Sequence, residues 1–352
     1  MLLTRQSNWR PSSGFWPPFS AGMSALKLGF CRARTDATIG LFPKVLTRMF
    51  LSNRHFISAL LALAIGLWLP GSVLARPDLE RKIGATVADS DSADYRFSDL
   101  RFTSADGRRH YRVRIAQPHR APEPDGYPTI YFLDGNAVLM ELNAALLAKL
   151  AAAKRPPVLV MIGYDNDLRI DAAGRAYDYT LPLPAGMKTP PRSGGGADAF
   201  LQLIETRIKP AIAARLAVDP QRQTLWGHSY GGLFVLHTLF THPAAFQRYI
   251  AVEPSLWWGN GMILQEAQQR TERRATPAVR LQLWVGLAER DRAAPPGVKS
   301  PTLPADATHL LAEQLAQLDG FTVGYREWPT LGHGAMLAAT IEPALDSVIA
   351  ED

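Results

Sequence analysis

Trp226-Gly227-His228-Ser229-Tyr230-Gly231-Gly232 is the stretch whose reading decides the fold. Thr224, Leu225 and Trp226 read as the end of a buried strand, and Gly232 through Thr238 (GLFVLHT) read as a helix. A serine on so sharp a strand-to-helix turn is held in a strained conformation with its hydroxyl exposed. Gly227 and Gly231 are expected because strand and helix there approach too closely for side chains. The pattern therefore predicts a serine hydrolase with Ser229 as nucleophile. The competing reading is a serine that caps a helix after a glycine turn.

The sequence outward from this elbow alternates strands and helices. Tyr95–Thr103 and Arg109–Ala116 alternate in polarity around Asp106-Gly107, a hairpin signal. Pro128–Leu133 and Pro157–Ile162 are continuous apolar runs, as in strands buried on both faces. Phe246–Val252, Leu281–Val285 and Phe321–Trp328 complete the strands, and helices are expected over 138–153, 198–217, 308–318 and 337–349. Two antiparallel strands followed by this alternation predict an α/β fold: a mostly parallel twisted sheet with helices on both faces. The segment 164–196 reads as a long Gly/Pro-rich loop, and such loops commonly carry function.

The amino-terminal 75 residues are read separately. Arg54, the apolar run Phe56–Leu69 (FISALLALAIGLWL) and Val73-Leu74-Ala75 form a signal-peptide pattern over 49–75, with cleavage expected after Ala75. The run is shorter than the roughly 20 residues of a membrane span, so no stable anchor is expected after cleavage. Residues 1–48 read as an upstream start-site extension, and 76–352 as one domain exported to the periplasm. Residues 1–75 hold eight of the 38 Lys and Arg and one of the 32 Asp and Glu, leaving 30 basic and 31 acidic residues. The overall charge of +6 thus belongs to the leader and gives no support for a nucleic-acid partner. Cys31, the only cysteine, also lies in that leader, so residues 76–352 have no disulfide or thiolate metal site.

An activated serine needs a base. Of the seven histidines after residue 75, His333 alone lies in a Gly-His-Gly turn between the last strand and the last helix. Hydrolases built on this elbow run serine, acid, histidine along the chain, which selects His333 as base. The acid is expected after Leu281–Val285, where Glu289 is the first choice and Asp291 the alternative. Two backbone donors are expected to hold the oxyanion: the Tyr230 amide and the Asn136 amide in Asp134-Gly135-Asn136.

Together, Tyr131-Phe132-Leu133-Asp134-Gly135-Asn136, Ile162-Gly163-Tyr164, Asp178-Tyr179-Thr180, Gly195–Phe200, the elbow and Glu253-Pro254-Ser255-Leu256-Trp257-Trp258 resemble the esterase D-like α/β-hydrolases. Within that family the pattern is most similar to the periplasmic ferri-enterobactin (siderophore) esterases. The resemblance implies hydrolysis of a cyclic catecholate trilactone so that its iron is released, with Ser229, His333 and Glu289 in the catalytic roles. It also implies that some relatives work with little help from the acid. No metal or organic cofactor is implied; the expected partner is a small-molecule ester, a ferric siderophore first. An iron-loaded catecholate is anionic and aromatic, which suits Arg side chains and stacking surfaces. Gly135, Arg175 and Trp258 are the expected substrate contacts, against a surface pairing of Arg175 with Asp178 and core packing of Trp258. Lys188 and Arg192 are further cations of that loop, and Trp257 a further aromatic. A broader exported carboxylesterase or acyltransferase, and a non-catalytic binding protein on the same fold, are the alternatives.

Overall fold

The structure is a computed structural model, and it describes residues 78, 80–187, 193–271, 278–288 and 303–350. The leader, Lys188, Arg192, Glu289 and Asp291 lie outside the described residues.

Eight strands form one sheet: β1 (Tyr95–Thr103), β2 (His110–Pro118), β3 (Tyr127–Phe132), β4 (Val158–Tyr164), β5 (Val218–His228), β6 (Arg248–Val252), β7 (Val279–Gly286) and β8 (Phe321–Trp328). Their spatial order is β1-β2-β4-β3-β5-β6-β7-β8. β1 and β2 form an antiparallel hairpin, β2 is antiparallel to β4, and every other pair is parallel. Each position of β3 and β4 is buried, the environment that selects unbroken apolar runs. The hairpin turns at Gly107, whose φ of 73° is a backbone state glycine adopts without strain.

The helices are α1 (Gly135–Glu141), α2 (Ala144–Ala151), α3 (Ala172–Asp178), α4 (Ala197–Leu203), α5 (Lys209–Ala213), α6 (Tyr230–Thr241), α7 (Met262–Thr271), α8 (Ala307–Ala316), α9 (His333–Ala339) and α10 (Ile341–Ile349). Successive strand residues point to opposite faces, so the sheet splits the core in two. Val160, Leu225, Tyr249 and Leu281 pack with Phe200, Phe234, Ile263 and Leu311 on one face. Leu159, Phe132, Trp226 and Ile250 pack with Val138, Leu147, Met336 and Leu345 on the other. This is an α/β-hydrolase fold with helices on both faces.

Several helix boundaries differ from the sequence reading, and the helix expected over 337–349 is two, His333–Ala339 and Ile341–Ile349. The segment 138–153 is two helices, because Leu142 turns extended and Asn143 caps the second, its Oδ1 accepting from the Leu146 amide at 2.9 Å. The helix expected over 198–217 passes through a π turn at Ile204–Ile208 and ends at Ala213; Pro210, which has no N–H to donate, sits just beyond the irregular turn. The segment 164–196 contains α3, capped by Asp171, whose Oδ1 accepts from the Gly174 amide at 2.7 Å.

The chain leaves β3 toward β4 and leaves β5 toward β6, in opposite directions along the sheet. Such a switch point opens a crevice at the carboxyl ends of the two strands. Asp134 and Ser229 stand at those ends. Helix α6, which follows Ser229, is buried from Gly231 through Phe240, so the elbow rests on a helix embedded between sheet and outer helices. His237 of α6 adds a polar tie, bonding Glu266 of α7 at 2.9 Å and Asp198 of α4 at 3.0 Å.

Candidate active site

Ser229 has φ 61° and ψ −115°, a positive φ in a residue that is not glycine. Such a conformation costs about 1–3 kcal/mol and persists only where its surroundings over-determine it. Here they do. The Ser229 amide donates to the Val252 carbonyl at 2.9 Å, and its carbonyl accepts from the Leu233 and Ser255 amides at 3.0 and 3.2 Å. A Cβ on Gly227 would run into the Gly231 carbonyl, and one on Gly232 would lie 2.8 Å from the Val252 oxygen. Gly231 differs from expectation: its nearest neighbour would be a Leu133 side-chain carbon at 3.5 Å, an ordinary contact. The close approaches are made by the first and last glycines of the motif, Gly227 and Gly232.

His333 is the first residue of α9, and its Nε2 lies 3.0 Å from Ser229 Oγ. Nδ1 lies 3.1 Å from Glu253 Oε2. A carboxylate only accepts, so Nδ1 carries the hydrogen and Nε2 is left to take the serine proton. Glu253 follows β6 with φ 46°; its amide donates to the Trp284 carbonyl at 2.8 Å, and its Oε1 accepts from the Gly286 amide. The carboxylate on the imidazole is therefore Glu253, and the expected Glu289 and Asp291 fall outside the described residues. The geometry favours the tip of β6 because β6 neighbours β5, one strand spacing of about 4.8 Å from the serine's strand, whereas β7 is two away.

His228, the residue before the nucleophile, supports the base. Its ring is buried, and its Nε2 donates to the His333 carbonyl at 2.8 Å. Burial, and then the neighbouring His333 and Arg175, push its pKa well below the usual value, so it serves as a neutral donor. Ser255 Oγ lies 3.4 Å from Ser229 Oγ.

The expected substrate contacts are placed differently. Arg175 lies on α3 with 11% of its side chain exposed, and it grips Asp134 through Nε and Nη2, both at 2.8 Å. Nη2 also donates to the His228 carbonyl at 3.1 Å. One guanidinium thus ties the turn after β3 to the residue before the nucleophile. Burial opposes its charge, and Asp134 more than offsets that. The surface pairing with Asp178 is not formed; Asp178 is buried and bonds Arg109, Tyr111 and Tyr164. Trp258 is 1% exposed with its Nε1 donating to the Leu181 carbonyl, so it is core. Gly135 is buried where a Cβ would meet the Met161 and Ile162 backbone, so it serves the packing of α1 on β4.

The Asn136 side chain is tied to the loop after β4. Its Nδ2 donates to the carbonyls of Tyr164, Asn166 and Leu168, and Gly163 of β4 packs so closely against Asn136 that a Cβ there would lie 2.8 Å from Asn136 Oδ1. Leu133 and Asp134 of this turn adjoin the elbow: a Cβ on Gly231 would lie 3.5 Å from Leu133 and 3.8 Å from Asp134 Oδ2. Tyr230, at the first position of α6, presents one of the amides that point out of a helix N-terminus.

These placements change what Arg175 should do. Removing one partner of a buried ion pair costs about 3–5 kcal/mol. Arg175→Lys, which keeps the charge but loses the fork, is expected to lower kcat about tenfold or more on anionic and neutral esters alike. A rise in KM confined to the anionic ester would restore a substrate-contact role.

A serine on a strained elbow, an imidazole on its oxygen and a carboxylate on the imidazole define a serine hydrolase of the α/β-hydrolase class. A family model described as "Putative esterase" matches residues 104–295. The chain belongs to this esterase family and is a carboxylic ester hydrolase. It is 39% identical over 289 residues to an apo-salmochelin esterase of Escherichia coli, covering 80% of this chain and 87% of that protein. It is 39% identical over 175 residues to the ferri-bacillibactin esterase BesA of Bacillus subtilis, covering 47% of this chain and 60% of that one. Among solved structures, the enterobactin hydrolase IroE in complex with DFP superposes with a TM-score of 0.63 at 36% identity, covering 74% of this chain and 98% of that chain.

Proposed function

We propose that this esterase hydrolyses the ester bonds of a catecholate siderophore trilactone, the ferric form first, so that iron is released. The observation that carries the reading is the continuous hydrogen-bonded line Ser229–His333–Glu253 in a chain whose relatives are named for siderophore ester cleavage. Ser229 Oγ gives its proton to His333 Nε2 and attacks the lactone carbonyl. Glu253 keeps the imidazole in the right tautomer and stabilises it once charged. The Tyr230 amide holds the developing oxyanion, together with a donor from the turn after β3. His333 then returns the proton to the leaving seryl oxygen, and water releases the acyl group by the same steps in reverse order. Opening the ring removes the preorganisation that holds the three arms on one metal, which weakens the hold on iron.

The E. coli relative is named for an apo substrate and the B. subtilis relative for a ferric one. The test is therefore incubation with iron-free and iron-loaded trilactone, with linear trimer followed by chromatography. Faster appearance of linear trimer from the loaded form supports the ferric reading. Cleavage confined to the iron-free form moves the reaction to the apo ligand, and cleavage of neither would leave a broader carboxylesterase. We also propose export to the periplasm after removal of residues 1–75. Amino-terminal sequencing of exported protein should begin at Arg76, and a distant terminus would reject this.

A further inference from the structure

We propose that Trp257 is the specificity-determining residue of this site, a fixed aromatic platform that receives an aryl arm of the ester while its carbonyl lies on Ser229. The proposal rests on the siderophore reading for the identity of the aryl arm, a catechol, and on geometry for the platform itself.

Trp257 and Leu310 are the exposed large hydrophobic residues among those described, and Trp257, at 48%, is the more exposed. Its place is set from the nucleophile. The Ser255 amide bonds the Ser229 carbonyl at 3.2 Å, and two residues of chain extend at most about 7 Å from there. Its ring stands 5.9 Å from that of Tyr230, the residue after the nucleophile, tilted by 52°. The Tyr230 ring in turn lies 5.4 Å from the Arg175 guanidinium. A ladder of one cation and two aromatic rings therefore begins in the buried clamp and ends in solvent, on the loop that Ser255 ties to the nucleophile's backbone.

The platform is also rigid. The next residue, Trp258, is buried and anchored to the Leu181 carbonyl at 2.8 Å, and its ring lies 6.1 Å from Trp257. The Trp257 carbonyl accepts from the Asn260 amide at 3.1 Å. An exposed indole held by its neighbours loses little freedom when a ring stacks on it, so more of the contact appears as affinity. The arrangement favours a planar, electron-rich arm over an aliphatic one, and it acts on binding without touching proton transfer.

The test compares two esters that differ only in the arm: N-(2,3-dihydroxybenzoyl)serine methyl ester and N-acetylserine methyl ester. Trp257→Ala is expected to raise KM for the aryl ester about tenfold, the scale of one aromatic stack. The acetyl ester's KM and both kcat values should stay within about twofold, and Trp257→Phe should restore most of the aryl preference. An equal change for both esters, or a change in kcat alone, would overturn the proposal. If wild-type protein leaves the trilactone intact yet loses its aryl preference in Trp257→Ala, the platform stands and the siderophore reading falls. If the trilactone is cleaved with unchanged KM in Trp257→Ala, the platform falls and the siderophore reading stands.

Discussion

Ser229→Ala is expected to lower kcat for ester cleavage by about 10⁵-fold or more while leaving ligand binding in place. The hydroxyl is the only atom removed, and the backbone that strains it is held by three other hydrogen bonds. His333→Ala should fall nearly as far, and the double variant no further, because nucleophile and base act as one unit. Single-turnover cleavage with a binding titration on the same protein checks all three. Residual turnover within a hundredfold of wild type in Ser229→Ala would remove the serine from the chemistry.

Glu253→Ala should lower kcat by about 10³–10⁴-fold with little change in KM, since the carboxylate orients the base and stabilises its charge without meeting substrate. Glu253→Gln is expected to be nearly as poor, because an amide can hold the imidazole in the wrong tautomer. Glu289→Ala and Asp291→Ala should retain wild-type turnover. Glu253 also accepts from the Gly286 amide, so a thermal melt of each variant separates lost catalysis from lost fold. Turnover of Glu253→Ala within fivefold of wild type would show that serine and histidine suffice here.

The elbow and the central strands were legible because their physics is local. A strand buried on both faces must be apolar along its length, and β3 and β4 carry that mark. The nucleophile and base were legible because glycine geometry and chain order select them. The carboxylate that meets His333 was not foreseen for want of one spatial fact: the tip of β6 adjoins the elbow strand more closely than the tip of β7. Glu253, directly after the apolar end of β6, was the available signal. Arg175 could not be read, because its partner Asp134 lies 41 positions away and an isolated arginine in a Gly/Pro-rich segment looks like a surface cation. Trp257 and Trp258 could not be told apart either. A short 3₁₀ turn decides which of two adjacent indoles faces the core, and composition carries no trace of that phase.

The guanidinium that joins Asp134 to the His228 carbonyl has a consequence for how this enzyme matures. The loops it fastens come from opposite sides of the chain reversal, and neither can be aligned until β3 and β5 have zipped together. During refolding, regain of turnover should therefore trail regain of helical signal and coincide with final docking of the central strands. Turnover that returned ahead of the helical signal would show that the site does not depend on this clamp.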